Sequence, residues 1–170
     1  MVRGFGQSAV SLAMVENHVP IYAVIYNPFT DELYAAERGK GATLNGSPIC
    51  VTDVGKVQDS LIAVGTCPYH KEMGAAVFGS IFNVYMVAED VRRMGAAALD
   101  LCHVAAGRAD GAFEHILNPW DIAAGVLLAQ EAGGKVTDME GRPLRLDSPA
   151  SVVASNGKIH QELRDLLIWK

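Results

Sequence analysis

The segment from Asn118 to Gly134 constrains the fold more than any other, because it predicts a helix that is apolar on every side. Asn118 is a good N-cap, and Pro119 suits the first helical position, where a missing N–H has no intrahelical partner. No polar side chain occurs from Ile122 to Ala129, and two glycines end the pattern. A helix without a polar face must be covered on all sides. The sequence therefore predicts a helix over 122–132 that is buried between other layers.

The rest of the chain predicts a β-rich first half and a second half in which strands alternate with helices. In the first half, short β-branched and aromatic runs are separated by turn residues, and Asn45-Gly46 favours a tight hairpin. In the second half, apolar runs alternate with segments of helical periodicity. We expect strands at 8–15, 21–26, 32–36, 42–44, 48–51, 61–64, 110–114, 135–138 and 151–154, and helices at 72–82, 96–106, 122–132 and 159–169. The expected fold is one α/β domain over residues 1–170, layered in the α+β manner.

Charge and cysteine content narrow the environment. The net charge of -5 argues against nucleic acid or an anionic membrane as the main partner, although a metal ion or backbone N–H groups can still attract a phosphate. The three cysteines, Cys50, Cys67 and Cys102, fit neither a zinc pattern nor a disulfide framework. No run reaches the roughly 20 apolar residues of a membrane span, and the first residues resemble no signal peptide. We expect a cytoplasmic protein.

Asp121 falls near the third position of the predicted central helix, beside the positive end of the helix dipole. A buried helix start at that point offers one carboxylate and several free N–H groups to a ligand. An acidic residue in a first turn also stabilises a helix without any ligand. On position alone the helix cap is the more common role, and a ligand for a cation-and-phosphate site is the alternative.

Four residues are candidates for substrate binding. Gly95, Ala96 and Ala97 have almost no side-chain bulk, so a ligand can approach the backbone N–H groups at the start of their helix. Close packing against another helix explains the same composition equally well. Glu114 ends a predicted strand, where its carboxylate can accept hydrogen bonds from sugar hydroxyls. A solvated charge is the more common fate of a single glutamate.

Two further patterns have structural interpretations. Asp100 and His103 are three residues apart on one predicted helix, a spacing that brings side chains together. Because no nucleophile is positioned to use them, we interpret the pair as a surface or subunit contact. Gly39-Lys40-Gly41 lies in a turn between strands and not between a strand and a helix, so it is not a dinucleotide loop.

Five segments match, in order, the pattern of a known family. They are residues 23–28, 38–46, 95–107, 120–125 and 131–134. Through them the chain resembles the inositol monophosphatase family of magnesium-dependent sugar phosphatases over nearly its whole length. The most specific part is Trp120-Asp121 followed by Glu131-Ala-Gly-Gly134, and it shifts the interpretation of Asp121 from a cap to a ligand.

The resemblance implies alternating layers of helix and sheet, a homodimer, and hydrolysis of inositol monophosphate or a related sugar phosphate with Mg²⁺ as cofactor. It implies that Asp121 ligates Mg²⁺ and that the four substrate-binding candidates contact the hydroxyl side of the substrate. Thr66 or Cys67 is expected near the same pocket.

The chain also departs from the family pattern. The family's other metal ligands and its water-activating threonine belong to a Glu-Glu segment and an Asp-Pro-x-Asp-Gly-Thr loop. No Asp-x-x-Asp-Gly sequence occurs in this chain, and the resemblance implies that both segments would lie upstream of Met1. We therefore assign no catalytic residue, and we expect a C-terminal portion without the N-terminal helices, nearly inactive alone.

A chain without those helices should expose an apolar face where they would pack. A non-catalytic binding or dimerisation module, derived from the same family, is the alternative function.

Overall fold

A computed structural model describes residues 6–168, which form two five-stranded sheets and four α-helices. The first sheet is antiparallel, with its strands in chain order. They are β1 (Val10–Glu16), β2 (Val19–Asn27), β3 (Glu32–Glu37), β4 (Ala42–Leu44) and β5 (Ser47–Ile49). Asn45 and Gly46 both have positive φ, at 49° and 79°, as the predicted tight hairpin between β4 and β5 requires.

The second sheet is mixed and has the order β7-β6-β8-β10-β9. Its strands are β6 (Leu61–Val64), β7 (Asp90–Arg92), β8 (Gly111–Leu117), β9 (Lys135–Thr137) and β10 (Ala150–Ser155). The pairs of β6 with β7 and of β6 with β8 are parallel, whereas β10 pairs antiparallel with both β8 and β9. The three-residue β7 was not predicted, because charged residues flank its single valine.

Four α-helices form two layers. They are α1 (Gly74–Tyr85), α2 (Ala97–Ala105), α3 (Pro119–Glu131) and α4 (His160–Asp165). Short 3-10 turns cover Val57–Asp59 and Lys71–Met73. None of the helices among residues 6–168 has the length and apolar character needed to cross a membrane.

Helix α3 lies at the centre of the molecule, as its uniformly apolar sequence predicted. Every residue from Ile122 to Ala129 is buried. Together with α2 it forms a layer between the sheets: Leu127 belongs to the core with Ile25 of the first sheet, and Ile122 belongs to the core with Val152 of the second. Helices α1 and α4 cover the opposite face of the second sheet. The α/β layering predicted from the sequence is confirmed.

The end of α3 is tied to the first sheet by a carboxylate. Glu131 accepts hydrogen bonds from the backbone N–H groups of Gly39 and Gly41, both at 2.9 Å. Both glycines have positive φ, which bends the turn between β3 and β4 so that its N–H groups converge. The segments 38–46 and 131–134, which both match the family pattern, therefore have a structural role, because they are hydrogen-bonded to each other.

The last predicted helix was too long. We expected it over 159–169, but α4 ends at Asp165 and residues 167–168 leave the helix. There the Ile168 carbonyl accepts a hydrogen bond from His115 Nε2, and the Ile168 N–H donates to Ser80 Oγ. These contacts satisfy the backbone outside a helix. Trp169 lies outside the described residues.

The first sheet has one exposed face that carries apolar side chains. Side chains alternate along β2, so that Ala23 and Ile25 face the helix layer while Tyr22 and Val24 are exposed. On β1 the exposed side chains include Leu12. Apolar residues on both sides of one sheet are the pattern of a sheet with two buried faces, and here one of those faces is open.

Candidate functional site

All five residues predicted for substrate and metal binding line one cavity of about 820 Å³. Its walls are the starts of α2 and α3, the end of β8, and the segment around Cys67. Separate segments of the chain supply Gly95, Ala96 and Ala97, then Glu114, then Asp121. The fold therefore brings together residues that the sequence left apart.

The start of α2 presents its backbone to the cavity. Ala96 is the N-cap in extended conformation, and Ala97 is the first helical residue. Gly95 has a φ of +105°, and a Cβ there would lie 2.7 Å from Arg93 Nη1. None of these three residues is fully buried. Their small side chains leave the helix start open to the cavity, although Ala96 also packs partly against the core.

Glu114 points into the cavity and not into bulk solvent. Strand β8 continues to Leu117, so Glu114 is not at the strand end that the sequence suggested. Burial raises the pKa of its carboxyl, and the negative charge of Asp121 adds to that effect while Arg93 opposes it. Glu114 lies over Gly65, where a Cβ would be 2.1 Å from Glu114 Cδ. The carboxylate occupies the space that any side chain at position 65 would need.

We expect Gly65→Ala to lower the free energy of unfolding by about 1 kcal/mol, the low end of the cost of overpacking, because the new methyl group overlaps the Glu114 side chain and that flexible side chain must shift into the cavity. The double variant Gly65→Ala/Glu114→Ala should recover most of that loss. Urea denaturation of the wild type, both single variants and the double variant measures the coupling. Equal losses with and without the Glu114 side chain would show that the two positions do not compete for space.

Asp121 caps its helix and also lines the cavity, so its role as a ligand stays a prediction. Its Oδ2 accepts hydrogen bonds from the Asn118 backbone N–H at 3.2 Å and from Asn118 Nδ2 at 3.3 Å, so it closes a capping box at the start of α3. Within residues 6–168 its Oδ1 accepts no hydrogen bond, and the side chain lines the cavity. One oxygen holds the helix start while the other is free for a ligand.

The carboxylates of the described region do not make a metal site by themselves. Among residues 6–168, no three His, Cys, Asp or Glu side chains are grouped so as to hold a metal ion. Mg²⁺ demands near-octahedral oxygen coordination and commonly takes one or two protein carboxylates besides water and phosphate oxygens. Asp121 is one carboxylate of the kind that such a site uses. The residues present fit part of a Mg²⁺ site and not a whole one, and we derive no chemical step through the ion.

The water-activating residues expected upstream of Met1 stay a prediction. Met1 lies outside the described residues, which begin at Gly6. The carboxylates that line the cavity within the described range include Asp100, Glu114 and Asp121, and none of them belongs to an Asp-x-x-Asp-Gly sequence. We therefore assign no catalytic residue to the cavity, and its residues are described as binding and positioning groups.

The interpretation of Asp100 and His103 as a surface or subunit pair was wrong. Asp100 is 6% exposed and lines the main cavity, whereas His103 lines a separate small cavity beside Arg108. Successive three-residue steps along an α-helix drift by about 60° around its axis. Asp100 therefore stays close to the face of Ala97, and His103 turns away. In the sequence, the three-residue spacing of Asp100 from Ala97 indicates that Asp100 lies on the cavity side of the helix. The equal spacing from Asp100 to His103 does not extend that side to His103.

Either Thr66 or Cys67 was expected near the cavity, and the structure places Cys67 in its wall. Cys67 lines the cavity with a φ of +42°, and its Sγ accepts a hydrogen bond from the Ile116 N–H at 3.3 Å. Thr66 faces Arg93, whose guanidinium donates to the Thr66 hydroxyl at 3.3 Å. Arg93 itself lines the cavity and was not predicted.

Known proteins are similar to this chain in sequence and in fold. A Nus factor SuhB of Xylella fastidiosa is 41% identical over 172 residues, which cover 98% of this chain and 62% of that protein. The chain thus spans less than two thirds of the length of that relative. The solved structure of inositol monophosphatase from Anabaena sp. superposes with a TM-score of 0.92 at 39% identity, over 97% of this chain and 65% of that one.

A staphylococcal enzyme, IMPase-II, adds a liganded structure. It was solved with inositol monophosphate bound and superposes with a TM-score of 0.87 at 26% identity, over 98% of this chain and 65% of that one. The model of the inositol monophosphatase family matches residues 2–168. With nearly the whole chain matched, this protein belongs to the inositol monophosphatase family.

Proposed function

We propose that this chain forms the substrate-binding side of a Mg²⁺-dependent phosphomonoesterase for inositol monophosphate or a related sugar phosphate. The observation that carries the proposal is the convergence of two helix starts and the Glu114 carboxylate on one cavity. The bound inositol monophosphate of the staphylococcal relative supports the same class of ligand.

One wall of the cavity suits the phosphate of such a substrate, and another suits its hydroxyl groups. The start of α2 presents backbone N–H groups and the positive end of its helix dipole to the cavity, and the dipole of α3 adds to the positive potential, which favours a phosphate. Arg93 adds a cation on the same cavity. Glu114 is an acceptor without donors of its own, which suits hydroxyl groups. We place the phosphate at the helix starts and the polyol ring against Glu114.

Asp121 is the proposed Mg²⁺ ligand of this chain. Asp121 lines the cavity proposed for the phosphate, and its carboxylate would hold the ion there. When bound, Mg²⁺ supplies charge neutralisation for the phosphate oxygens. The role of the chain's own residues is to hold the ester in place and to orient Asp121 through the capping box.

A non-catalytic module is the second candidate, and two observations favour it. Residues 6–168 offer no complete metal site. Helix α1 also exposes an apolar stripe of Phe78, Phe82 and Tyr85, each 58–62% exposed and spaced on one helical face. Exposed apolar stripes of this kind mark association surfaces. We propose that the stripe on α1 is the contact of a homodimer.

We also propose a cytoplasmic location, which fits the three unpaired cysteines.

Calorimetry and phosphate release test the proposal on the 170-residue chain. We expect myo-inositol 1-phosphate to bind to the wild type, and Mg²⁺ to tighten that binding. In Asp121→Asn we expect no tightening by Mg²⁺. The asparagine side chain can still accept the hydrogen bond from the Asn118 N–H, so the capping box is kept. We expect turnover far below the typical range of about 1–10³ s⁻¹. Light scattering on the same sample reports whether the chain is a dimer.

The outcomes separate the two candidates. Absence of binding in the wild type would refute a substrate-binding role and leave the dimerisation module. Binding that ignores Mg²⁺ in both proteins would refute the role of Asp121. Turnover at ordinary enzymatic rates would show that the metal site is more complete than the described carboxylates allow.

A further inference from the structure

Besides Glu114 and Asp121, the cavity is lined by the carboxylate of Asp100, which lies in the first turn of α2. Only 6% of its surface is exposed, and its Oδ1 has no hydrogen-bond partner among residues 6–168. Buried polar atoms are nearly always hydrogen-bonded, so an unpartnered one in a residue that lines a cavity calls for an explanation. The Asp100 carboxylate lacks a partner for Oδ1 and borders a space that a ligand can fill.

The surroundings of Asp100 do not compensate for its burial. Desolvation, with a smaller contribution from the negative charge of Glu114, raises the pKa of its carboxyl to about 7, and the positive charge of Arg93 opposes the shift. Arg93 already donates to the Thr66 hydroxyl. An acid with a purely structural role is normally surrounded by donors, as Asp110 is by the Thr52 hydroxyl and the Leu61 N–H. The contrast separates Asp100 from the structural acids of the fold.

Asp100 and Glu114 reach the same part of the cavity from different elements. Both also border a small recess whose other walls include the apolar side chains of Leu117 and Val152. Apolar neighbours exclude water and strengthen the hydrogen bonds that a carboxylate forms there. The terminal torsion of aspartate is broad, so rotation can turn either oxygen of Asp100 toward a ligand.

We infer that Asp100 is a further substrate-binding residue, which together with Glu114 accepts hydrogen bonds from two neighbouring hydroxyls of the substrate. The inference rests on the proposed function and narrows its substrate class. The favoured ligands are polyol phosphates, such as cyclitol phosphates, that carry at least two adjacent free hydroxyls beyond the phosphate ester. Ligands with only the phosphate use the helix starts and leave Asp100 unpartnered.

The test compares two ligands in wild type and Asp100→Asn by calorimetry in Mg²⁺ buffer. At pH 8, above the pKa of Asp100, we expect the variant to bind myo-inositol 1-phosphate at least tenfold more weakly, because the amide removes the charge and one of the two acceptor oxygens of the carboxylate. Its affinity for inorganic phosphate, which has no ring hydroxyls, should be unchanged. Asp59→Asn is the matched control, since Asp59 is exposed and lies outside the cavity. It should bind both ligands like the wild type.

Each alternative result has a definite meaning. Equal affinity of Asp100→Asn and wild type for the cyclitol phosphate overturns the inference and leaves the proposed function intact. Parallel weakening for both ligands also overturns it, because the residue then acts through the structure. If the wild type binds neither ligand, the proposed function fails as well.

A second measurement needs no variant and covers the case in which Asp100→Asn does not fold. A series of deoxy cyclitol phosphates, each lacking one ring hydroxyl, is titrated into the wild type. We expect removal of either of two adjacent hydroxyls to weaken binding about tenfold, and removal of the others to change it little. Uniform affinity across the series would overturn the inference.

Discussion

Leu127→Ala should lower the free energy of unfolding by about 3–5 kcal/mol, the upper range for a leucine truncated in a core that cannot collapse. Leu127 is fully buried in α3, between α2 and the first sheet. Both neighbours are fixed by other contacts, so little of the cavity left by the missing methyl groups can close. Urea denaturation followed by circular dichroism measures the effect.

Leu12→Ala is the matched control, because it makes the same chemical change at a side chain that is 64% exposed on β1. We expect a loss within about 0.5 kcal/mol there. A loss for Leu127→Ala below about 1 kcal/mol would contradict the placement of α3 at the centre. A large loss for Leu12→Ala would show that the open face of the first sheet is covered in solution.

Protonation of His160 should cost the fold roughly 3 kcal/mol between pH 6.5 and pH 4. The ring is fully buried, with Nε2 at 2.9 Å from Thr137 Oγ1 and Nδ1 at 2.9 Å from Ser155 Oγ. Burial lowers its pKa to about 4, and the positive charges of Lys135 and Arg164 add to that shift. The neutral ring is favoured in the folded state. Its contribution is therefore complete above the unfolded pKa of about 6.5 and is lost as the pH falls toward 4.

The measurement is the difference in unfolding free energy between wild type and His160→Gln across this pH range. Glutamine can hydrogen-bond to both hydroxyls but does not titrate, so the difference should shrink by roughly 3 kcal/mol from pH 7 to pH 4. A difference independent of pH would mean that His160 stays neutral, or titrates equally, in both states.

The sequence was most informative where one residue type excludes every other structure. An apolar run with no polar face, preceded by Asn118-Pro119, could only be a buried helix, and its position between the sheets followed. Asn45-Gly46 specified its hairpin because few residue pairs adopt positive φ. The helix starts and Glu114 were also recognised as candidates, and the fold brings them into one cavity.

The features that the sequence did not predict depend on tertiary contacts. Strand β7 has only one apolar residue and pairs at a sheet edge with β6, so no local periodicity marks it. The early end of α4 depends on Ser80 and His115, which lie far away in the chain. Asp100 was assigned to a surface because its spacing from Ala97 marks the cavity side only once Ala97 is known to line a cavity. These are properties of packing and not of local pattern.

Helix α3 is held by a carboxylate at each end, with Asp121 closing the capping box and Glu131 holding the glycine turn of the first sheet. The two acids are about 15 Å apart along the helix axis, and the helix between them is rigid. A side chain at Gly39 or Gly41 would strain the positive φ of that turn and weaken the hydrogen bonds that Glu131 accepts there. A surface turn between two strands thus helps to anchor the helix whose other end carries the cavity's carboxylate.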